Sequence, residues 1–298
     1  MYHLGIDIGG TFIKYAIIRG EKEIIKKWKK KSIKFDDKDM FYDYLCNDIP
    51  EINTIDYIGI SAPGVINEQS IVMSEAGHNV RIMYQTNINK EVIMRLNKPT
   101  FTINDAKAAG YCELKIGNAL NSKSSAYYII GTGIGGAFCD EGGIINGIDS
   151  LAGELSCLPF TIKEGQIISA SHYASMSALI SIYNQKVVKE NQLTYGKEIC
   201  QLYLSDNSVA KEAVDEWCLN IVFALITIVI CYNPDIICIG GGISEEDWFI
   251  EEIQKTYAKH FPKRFLSLVR TRIERCLYNN DANILGAVLF AREQYNSQ

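Results

Sequence analysis

The sequence has no excess of positive charge. Its 298 residues include 30 lysines and arginines against 35 aspartates and glutamates, a formal net charge of −5 at pH 7. Nucleic acids and anionic membranes attract basic surfaces. This charge balance therefore favours small molecules as partners, and we expect no nucleic acid binding and no membrane binding.

Paired cysteines are also lacking. The nine cysteines include no CxxC pair, and several lie inside apolar runs such as 236–239. No basic-then-apolar leader precedes the first strand pattern. These features predict a cytoplasmic protein whose thiols are buried in its cores.

Two further absences narrow the architecture. No GxxxxGK[ST] phosphate loop occurs, which excludes the Walker type of nucleotide site. The most apolar run, residues 221–232, is too short to span a bilayer and predicts a buried or subunit-interface helix. With 47% hydrophobic residues, the chain can bury sizeable cores, and its length favours two domains.

What the chain does contain is a glycine turn between strands near its start. Residues 4–18 read LGIDIGGTFIKYAII, and apolar residues alternate on both sides of Gly9-Gly10-Thr11, which predicts an antiparallel hairpin. Asp7 precedes the turn, the glycines let a ligand approach the backbone, and Thr11 offers an N–H and a hydroxyl. A phosphate and its metal ion need such groups, although an ordinary hairpin whose glycines only supply positive φ would look similar.

A second glycine hairpin follows in residues 126–136, AYYIIGTGIGG. It contains a literal GxGxxG, but the dinucleotide fingerprint must open a helix, whereas this chain continues as AFCDEGGIINGI, a second strand. Two such hairpins, one in each half, indicate two related domains that hold a phosphate chain.

Other segments allow two interpretations each. The lysine-rich segment 21–34 predicts a charged edge strand or a patch for an acidic partner. Asn104-Asp105 lies between a predicted strand and a predicted helix, so Asp105 is either a crevice residue or a helix N-cap. Pro63-Gly64 is either an ordinary turn that ends the strand or a loop that brings its backbone close to a substrate.

The second half has fewer signals. Residues 161–201 have a mainly helical pattern, and 282–295 predict an amphipathic terminal helix. In DIICIGGGIS, residues 235–244, a buried strand meets three glycines and a helix beginning near Ser244 with three carboxylates, 245–247, in its first turn. Because those carboxylates would repel phosphate, we expect this loop to face the adenine and ribose of a nucleotide.

Together these motifs resemble one family. LGIDIGGTFIK, NDAKAA, GTGIGG, AGEL and IGGGIS, in this order, are similar to the ROK family of sugar kinases and sugar-responsive repressors, in the actin/hexokinase-like ATPase superfamily. The resemblance implies an α/β fold of two ribonuclease-H-like (actin-like ATPase) domains, each with a five-stranded mixed sheet, with a cleft between them. We place the domains at residues 1–115 plus 284–298 and at residues 116–283, and expect a homodimer.

The resemblance also implies roles for single residues. The positions that match phosphate and nucleotide contacts are Asp7, Gly9, Gly10, Thr11, Lys14, Gly131, Thr132, Gly133, Gly135, Gly240, Gly241 and Gly242. The positions that match sugar contacts are Gly64, Asn104, Asp105 and Glu154. Asp105 also matches the catalytic base, with ATP and Mg²⁺ as the implied cofactors.

The chain departs from the family after AGEL. The family's histidine and cysteine cluster, which hold a structural zinc, are absent: Cys157 replaces the histidine and Ser171 replaces a sugar-contacting glutamate. One thiol cannot form a four-ligand site, so we expect no zinc. His172, beside Ser171, either compensates for the lost glutamate or is an ordinary surface or core histidine.

The resulting hypothesis is an ATP-dependent kinase that phosphorylates the 6-hydroxyl of a hexose or derivative: glucose, N-acetylmannosamine or a β-glucoside. The alternative is a non-catalytic sugar-binding or regulatory protein of the same family. A transcriptional regulator needs a DNA-binding motif ahead of the first hairpin, where only Met1 to His3 stand, so we expect no DNA-binding domain.

Overall fold

The computed structural model describes residues 1–75 and 81–297, which form two compact units. The first unit comprises Met1–Leu120, Gly142–Ala152 and Asn280–Gln298, and the second comprises Asn121–Glu141 and Gly153–Asn279.

A mixed five-stranded sheet forms the first unit. Its strands are β1 (Tyr2–Ile8), β2 (Phe12–Arg19), β3 (Glu23–Lys31), β4 (Ile55–Ala62) and β5 (Thr100–Asn104). They lie in the order β3-β2-β1-β4-β5, with β2 antiparallel to β1 and β3, and with β1, β4 and β5 parallel. The helices of this unit are α1 (Lys38–Cys46), α2 (Ile88–Leu96), α3 (Asp105–Ile116) and, from the end of the chain, α9 (Ala282–Asn296).

The first hairpin and the lysine-rich edge strand are both confirmed. β1 and β2 pair from Tyr2 with Arg19 to Ile8 with Ile13. β3 lies at the sheet edge, where its lysines face water and keep other strands from pairing. Trp28 of β3 stacks on Tyr15 at a centroid distance of 5.1 Å, so the edge strand is fixed by its aromatic side chain.

The terminal helix α9 is not amphipathic as expected but buried on all sides over 284–289. It lies between the sheet and α3, and glycines allow the close approach. A Cβ on Gly59 would stand 2.3 Å from the Ala287 carbonyl oxygen, and one on Gly286 would stand 1.8 Å from that of Ala108. Apolar periodicity cannot reveal a helix with neighbours on two faces.

The second sheet repeats the order of the first. Its strands are β6 (Ser124–Ile130), β7 (Ile134–Asp140), β8 (Gly143–Ile144), β11 (Ile236–Gly240) and β12 (Arg272–Arg275), in the order β12-β11-β6-β7-β8. β6 and β7 form the predicted second glycine hairpin. The two five-stranded mixed sheets therefore match the expectation.

The other strands and α-helices of the second unit, besides β6, β7, β11 and β12, are a hairpin and five helices. They are β9 (Pro159–Lys163), β10 (Gln166–Ser169), α4 (Ser171–Ala174), α5 (Met176–Asn184), α6 (Gly196–Leu204), α7 (Ser208–Cys231) and α8 (Asp247–His260). The helical expectation for 161–201 is wrong at its start, where β9 and β10 pair antiparallel. Glu164 and Gly165 both have positive φ, 51° and 77°, the geometry of a tight two-residue hairpin turn.

The long helix α7 forms the centre of the second core. Trp217, Ile221, Leu225 and Ile228 are buried there, and the Trp217 indole N–H donates to the Ala174 and Ser175 carbonyls at 3.1 and 2.8 Å. By length and composition α7 could cross a membrane, but half of its apolar window is buried inside the unit. The buried-core interpretation of residues 221–232 holds for one face, whereas Phe223 and Ile230 are half exposed.

Candidate functional site

Asp7, at the carboxyl end of β1, is a buried carboxylate with three partners. It is 3% exposed. Its Oδ1 accepts hydrogen bonds from the Ser61 hydroxyl at 2.9 Å and from the Asn283 amide at 3.2 Å, and its Oδ2 lies 3.2 Å from the Lys14 ammonium. Asp7 and Lys14 are cross-strand neighbours in the hairpin. The carboxylate is therefore held in one orientation at the end of its strand.

The turn that follows Asp7 is open on its outer side. Gly10 and Thr11 are exposed, and a Cβ on Gly10 would meet nothing within 4 Å. Neither Gly9 nor Gly10 is among the residues with positive φ. The hairpin interpretation in which the glycines only supply positive φ is thus wrong. Gly9 is needed because the Phe12 carbonyl lies 2.8 Å from where a Cβ would stand, and Gly10 leaves space for a ligand against the backbone.

Asn104 and Asp105 lie where β5 ends and α3 begins. Asn104 is the N-cap of α3, because its side-chain oxygen accepts from the Lys107 backbone N–H at 3.1 Å. Asp105 is the first helical residue, and its Oδ1 accepts from the Ala106 N–H at 2.8 Å and the Asn104 amide at 3.0 Å. The N-cap interpretation of Asp105 is therefore wrong. Its partly exposed carboxylate lies at the N-terminus of α3, the positive end of the helix dipole.

Gly64 is brought next to this pair. The Asn104 amide donates to the Gly64 carbonyl at 3.0 Å, and Gly64 has a φ of 92°, which glycine adopts without strain. Three predicted sugar-binding positions, Gly64, Asn104 and Asp105, thus share one hydrogen-bonded cluster in the first unit.

Lys107, to which no role was assigned from its sequence motif, is buried beside this cluster. It is 7% exposed, and its ammonium donates to Asn146 Oδ1 at 2.8 Å and to the Ser150 carbonyl at 2.9 Å. These bonds attach the segment 142–152 to α3. The only sequence signal is a lysine in the buried first turn of a helix.

In the second unit, the turn between β6 and β7 contains the other predicted phosphate positions. Gly131, Thr132 and Gly133 are exposed, and the Gly131 N–H donates to the Gly133 carbonyl at 2.9 Å, which closes the turn. Gly135 follows on β7, opposite Ile129. The turn therefore presents backbone to solvent, as the first turn does.

Ser171 supports this second turn. Its hydroxyl oxygen accepts from the Ile134 N–H at 3.1 Å and lies beside Gly133, where a Cβ would be 3.1 Å from that oxygen. The neighbouring His172 is exposed, with its Nδ1 3.2 Å from the Ser169 hydroxyl. Ser171 thus contacts the hairpin backbone, and His172 is a surface histidine in this structure.

Glu154 is half-buried after a tight glycine. Gly153 has a φ of 82°, and a Cβ there would lie 2.8 Å from the Ala137 Cα, so this position requires glycine. Glu154 Oε1 accepts from the Ser156 hydroxyl at 2.6 Å, and Cys157 is exposed, its sulfur 3.5 Å from the same hydroxyl.

The three glycines after β11 differ in the space around them. A Cβ on Gly240 would be 2.6 Å from Ile129 Cδ1, and one on Gly241 would be 2.0 Å from the Ile130 carbonyl oxygen, so both are packing glycines. A Cβ on Gly242 would meet nothing within 4 Å. Of the three glycines, Gly242 has the space that a ligand would use.

The expected helix start after these glycines is wrong. Gly242–Glu245 form a 3-10 turn, and α8 begins only at Asp247, whose carboxylate pairs with Arg275. One carboxylate rather than three therefore lies in the first turn of α8. The argument that three carboxylates repel phosphate here no longer holds.

Comparison of the sequence with known protein families identifies the family of this chain. A family model described as the ROK family matches residues 3–294. The chain belongs to the ROK family. A beta-glucoside kinase from Listeria monocytogenes is 27% identical over 294 residues, 97% of each chain. A glucokinase from Halalkalibacterium halodurans is 26% identical, over 99% of this chain and 96% of its own.

The fold is shared with solved structures of this family. A ROK family protein from Streptococcus pneumoniae, in complex with sucrose, superimposes with a TM-score of 0.88 over 100% of both chains at 24% identity. The fold expectation, two ribonuclease-H-like α/β domains of the actin-like ATPase type, is confirmed.

The structure also bears on the missing zinc ligands of the ROK pattern. In the ranges 1–75 and 81–297, no group of three or more His, Cys, Asp or Glu side chains could hold a metal ion. The absence of zinc from the purified protein stays a prediction.

Proposed function

We propose that this ROK protein is an ATP-dependent carbohydrate kinase that transfers the γ-phosphate to the 6-hydroxyl of a hexose or hexose derivative. The observation that carries this proposal is the division of labour at the start of α3. Asn104 caps the helix and donates to the Gly64 carbonyl and to Asp105 Oδ1, so the Asp105 carboxylate lies in one cluster with two other predicted sugar-binding positions. The beta-glucoside kinase and glucokinase relatives support the reaction class.

Asp105 acts as the general base. Phosphoryl transfer to an alcohol needs an acceptor for the hydroxyl proton, and a carboxylate such as that of Asp105 can accept it. The Asn104 amide, 3.0 Å from Asp105 Oδ1, orients the carboxylate. Gly64 and Asn104 bind sugar hydroxyls from the same cluster, and Glu154 is a further proposed sugar-binding residue.

The two glycine turns bind the phosphates of ATP. In the first unit Gly10 and Thr11 offer exposed backbone directly after Gly9, with Asp7 and Lys14 beside the turn. In the second unit Gly131, Thr132, Gly133 and Gly135 present the second turn. Gly240, Gly241 and Gly242 match the family's adenosine side; of the three, Gly242 has space for a ligand, while Gly240 and Gly241 pack against β6.

The open turn at Gly10 beside a buried carboxylate fits a nucleotide with its metal ion. When bound, Mg²⁺–ATP supplies the transferable phosphoryl group and neutralises its charge. The residues of the chain position the phosphates through backbone N–H groups and hold the acceptor hydroxyl at Asp105.

A coupled assay for ADP release, run with a panel of hexoses, tests the function. We expect ATP turnover that depends on the sugar, with a phosphate ester at the 6-position of the product. Binding of a hexose without any turnover would instead support the alternative, a non-catalytic sugar-binding protein of the same family.

We also propose that the protein is a homodimer, joined through the exposed face of α7. Four residues of this helix, the α7 stripe, follow the 4-3-4 spacing at which two helices pack along a seam: Leu219, Phe223, Ile226 and Ile230. Leu219, Phe223 and Ile230 are 42%, 50% and 58% exposed.

The stripe suits a second copy of the same chain. Residues 217–234 contain no charged side chain, so two copies of this face would meet without like-charge repulsion. Phe160 of β9 packs edge-on against Phe223, and on the same hairpin Ile162 and Ile167 lie opposite each other, 74% and 70% exposed. The apolar surface thus extends beyond the helix, in keeping with an interface.

A further inference from the structure

The hydroxyl group of Ser171 can make one more hydrogen bond than the structure gives it. A serine hydroxyl accepts hydrogen bonds through its oxygen and donates one through its proton. The Ser171 oxygen accepts from the Ile134 N–H at 3.1 Å. Within the part of the chain that the structure describes, no acceptor takes the Ser171 proton. This proton is therefore available to a ligand.

The same hydroxyl lies against the second glycine turn, Gly131-Thr132-Gly133. Ile134, whose N–H donates to Ser171, directly follows this turn. A Cβ on Gly133 would be 3.1 Å from the Ser171 oxygen, and Ser171 itself is half-buried while the three turn residues are exposed. A phosphate that lies on the turn is therefore within reach of the Ser171 hydroxyl.

The turn itself offers two further donors. Its Gly131 N–H is used, because it donates to the Gly133 carbonyl at 2.9 Å. The N–H groups of Thr132 and Gly133 donate to no acceptor among the described residues. Together with the Ser171 hydroxyl they make three neighbouring donors, and phosphate oxygens accept such hydrogen bonds strongly.

The segment that begins at Ser171 also fixes the turn. The Met176 N–H donates to the Gly131 carbonyl at 2.9 Å. The carbonyls of the two residues before Met176 accept from the buried Trp217 indole at 3.1 and 2.8 Å, which ties this segment to α7. Because the donors are already held in place, a ligand loses little entropy in ordering them.

The chemistry of residue 171 favours an anion. The family pattern has a glutamate here, and a carboxylate accepts hydrogen bonds but cannot donate one when it is ionised. It would also repel a phosphate at the turn. Serine replaces that charge with a neutral donor. The replacement therefore changes the position from one that disfavours phosphate to one that can bind it.

We propose that Ser171 is a phosphate-binding residue: its hydroxyl donates to a phosphate oxygen of the nucleotide, while the Ile134 N–H holds the hydroxyl oxygen at the turn. This inference rests on the proposed kinase function, in which the second glycine turn binds the phosphates of ATP. It assigns Ser171 to the nucleotide rather than to the sugar.

The test compares ligands with and without phosphates. Calorimetry gives the Kd of the ATP analogue AMPPNP, of adenosine and of glucose, and steady-state kinetics gives the KM for ATP. Ser171→Ala removes the hydroxyl and Ser171→Thr keeps it. Ser169→Ala is the matched control, since it removes a hydroxyl two residues earlier that contacts His172.

We expect Ser171→Ala to raise the Kd of AMPPNP and the KM for ATP about tenfold, because a hydrogen bond to a charged group is lost. The Kd values of adenosine and glucose should change less than about twofold, since neither ligand carries a phosphate. Ser171→Thr should bind AMPPNP nearly as native protein does, and Ser169→Ala should match native protein with all three ligands.

The proposal is overturned if Ser171→Ala leaves the Kd of AMPPNP unchanged, if it weakens AMPPNP, adenosine and glucose equally, or if Ser171→Thr restores nothing. Binding of AMPPNP that depends on Ser171, without phosphorylation of any sugar, would support the phosphate contact and refute the kinase function. Phosphorylation of a sugar by ATP, with the same Kd of AMPPNP in Ser171→Ala as in native protein, would do the reverse.

Discussion

The buried ammonium of Lys107 donates a hydrogen bond to Asn146 Oδ1 at 2.8 Å, across 39 residues of sequence. This bond, with that to the Ser150 carbonyl, attaches the segment 142–152 to the helix that begins with Asp105. Because a buried cation is costly to leave without partners, the bond fixes both groups. The segment 142–152 is thereby linked to the helix that presents the proposed base.

The first prediction concerns this base. Asp105→Asn keeps the size of the side chain and its oxygen for the Ala106 N–H but cannot accept the proton of the sugar hydroxyl. We expect an unchanged fold and sugar Kd, with kcat lowered on the order of 10²-fold or more. Steady-state kinetics and calorimetry on the same preparation check this. Near-normal turnover would refute the mechanism.

The sequence predicted the parts of the site that rest on local pattern. The Gly9-Gly10-Thr11 turn and Asn104-Asp105 could be placed because each follows an apolar strand. The Asn283 partner of Asp7 could not be predicted from the sequence. Asn283 lies 276 residues away, and only the packing of α9 brings its amide to the Asp7 carboxylate. The β9–β10 hairpin was missed because its apolar residues also fit a helical period, and the Glu164-Gly165 turn was not recognised.

The second prediction concerns the dimer. Phe223→Glu places a charge in the centre of the α7 stripe, and burial of two such charges across a two-fold interface is strongly unfavourable. We expect native protein to run as a dimer in size-exclusion chromatography with light scattering, and the variant as a monomer. Met94→Glu, which replaces a 71% exposed residue of α2, is the control and should remain dimeric. A monomeric native protein at micromolar concentration would contradict the proposed interface.

The third prediction concerns pH. Burial lowers the pKa of His3 from 6.5 to about 4, and its ring stacks on Tyr57 at 4.0 Å. Between pH 6.5 and pH 4, His3 is therefore protonated in the unfolded chain but neutral in the folded protein. The resulting stabilisation is fully present above pH 6.5 and is lost as pH falls from 6.5 to 4, by at most about 3 kcal/mol.

His3→Phe keeps a stacking ring and removes this titration. The free energy of unfolding in urea, measured at pH 7 and pH 4.5, should fall less in the variant than in native protein. His260→Gln, at an exposed histidine, should behave as native. An identical loss of stability in His3→Phe and native protein would show that His3 is not the group involved.

The fourth prediction concerns zinc. Cys157 stands alone at the position where the family pattern has a zinc ligand, and a structural zinc needs four ligands. Elemental analysis of protein purified without chelators should show no stoichiometric zinc, and chelator should leave the melting temperature unchanged. One zinc per chain would mean that ligands outside this segment have been overlooked.

The fifth prediction concerns the sugar. The family pattern has a histidine and a glutamate where this chain has Cys157 and Ser171, and the Ser171 hydroxyl is bound to the backbone of the second glycine turn. An enzyme selects a sugar with a free hydroxyl when its buried polar groups would be left unpaired without that hydroxyl. Loss of the histidine and the glutamate therefore weakens the selection for a free hydroxyl and leaves room for a substituent on the sugar. We expect glucose to be a modest substrate, and N-acetylmannosamine or a β-glucoside to have a higher kcat/KM. Restoring the carboxylate with Ser171→Glu should narrow that difference, whereas a clear preference of native protein for unsubstituted glucose would refute the argument.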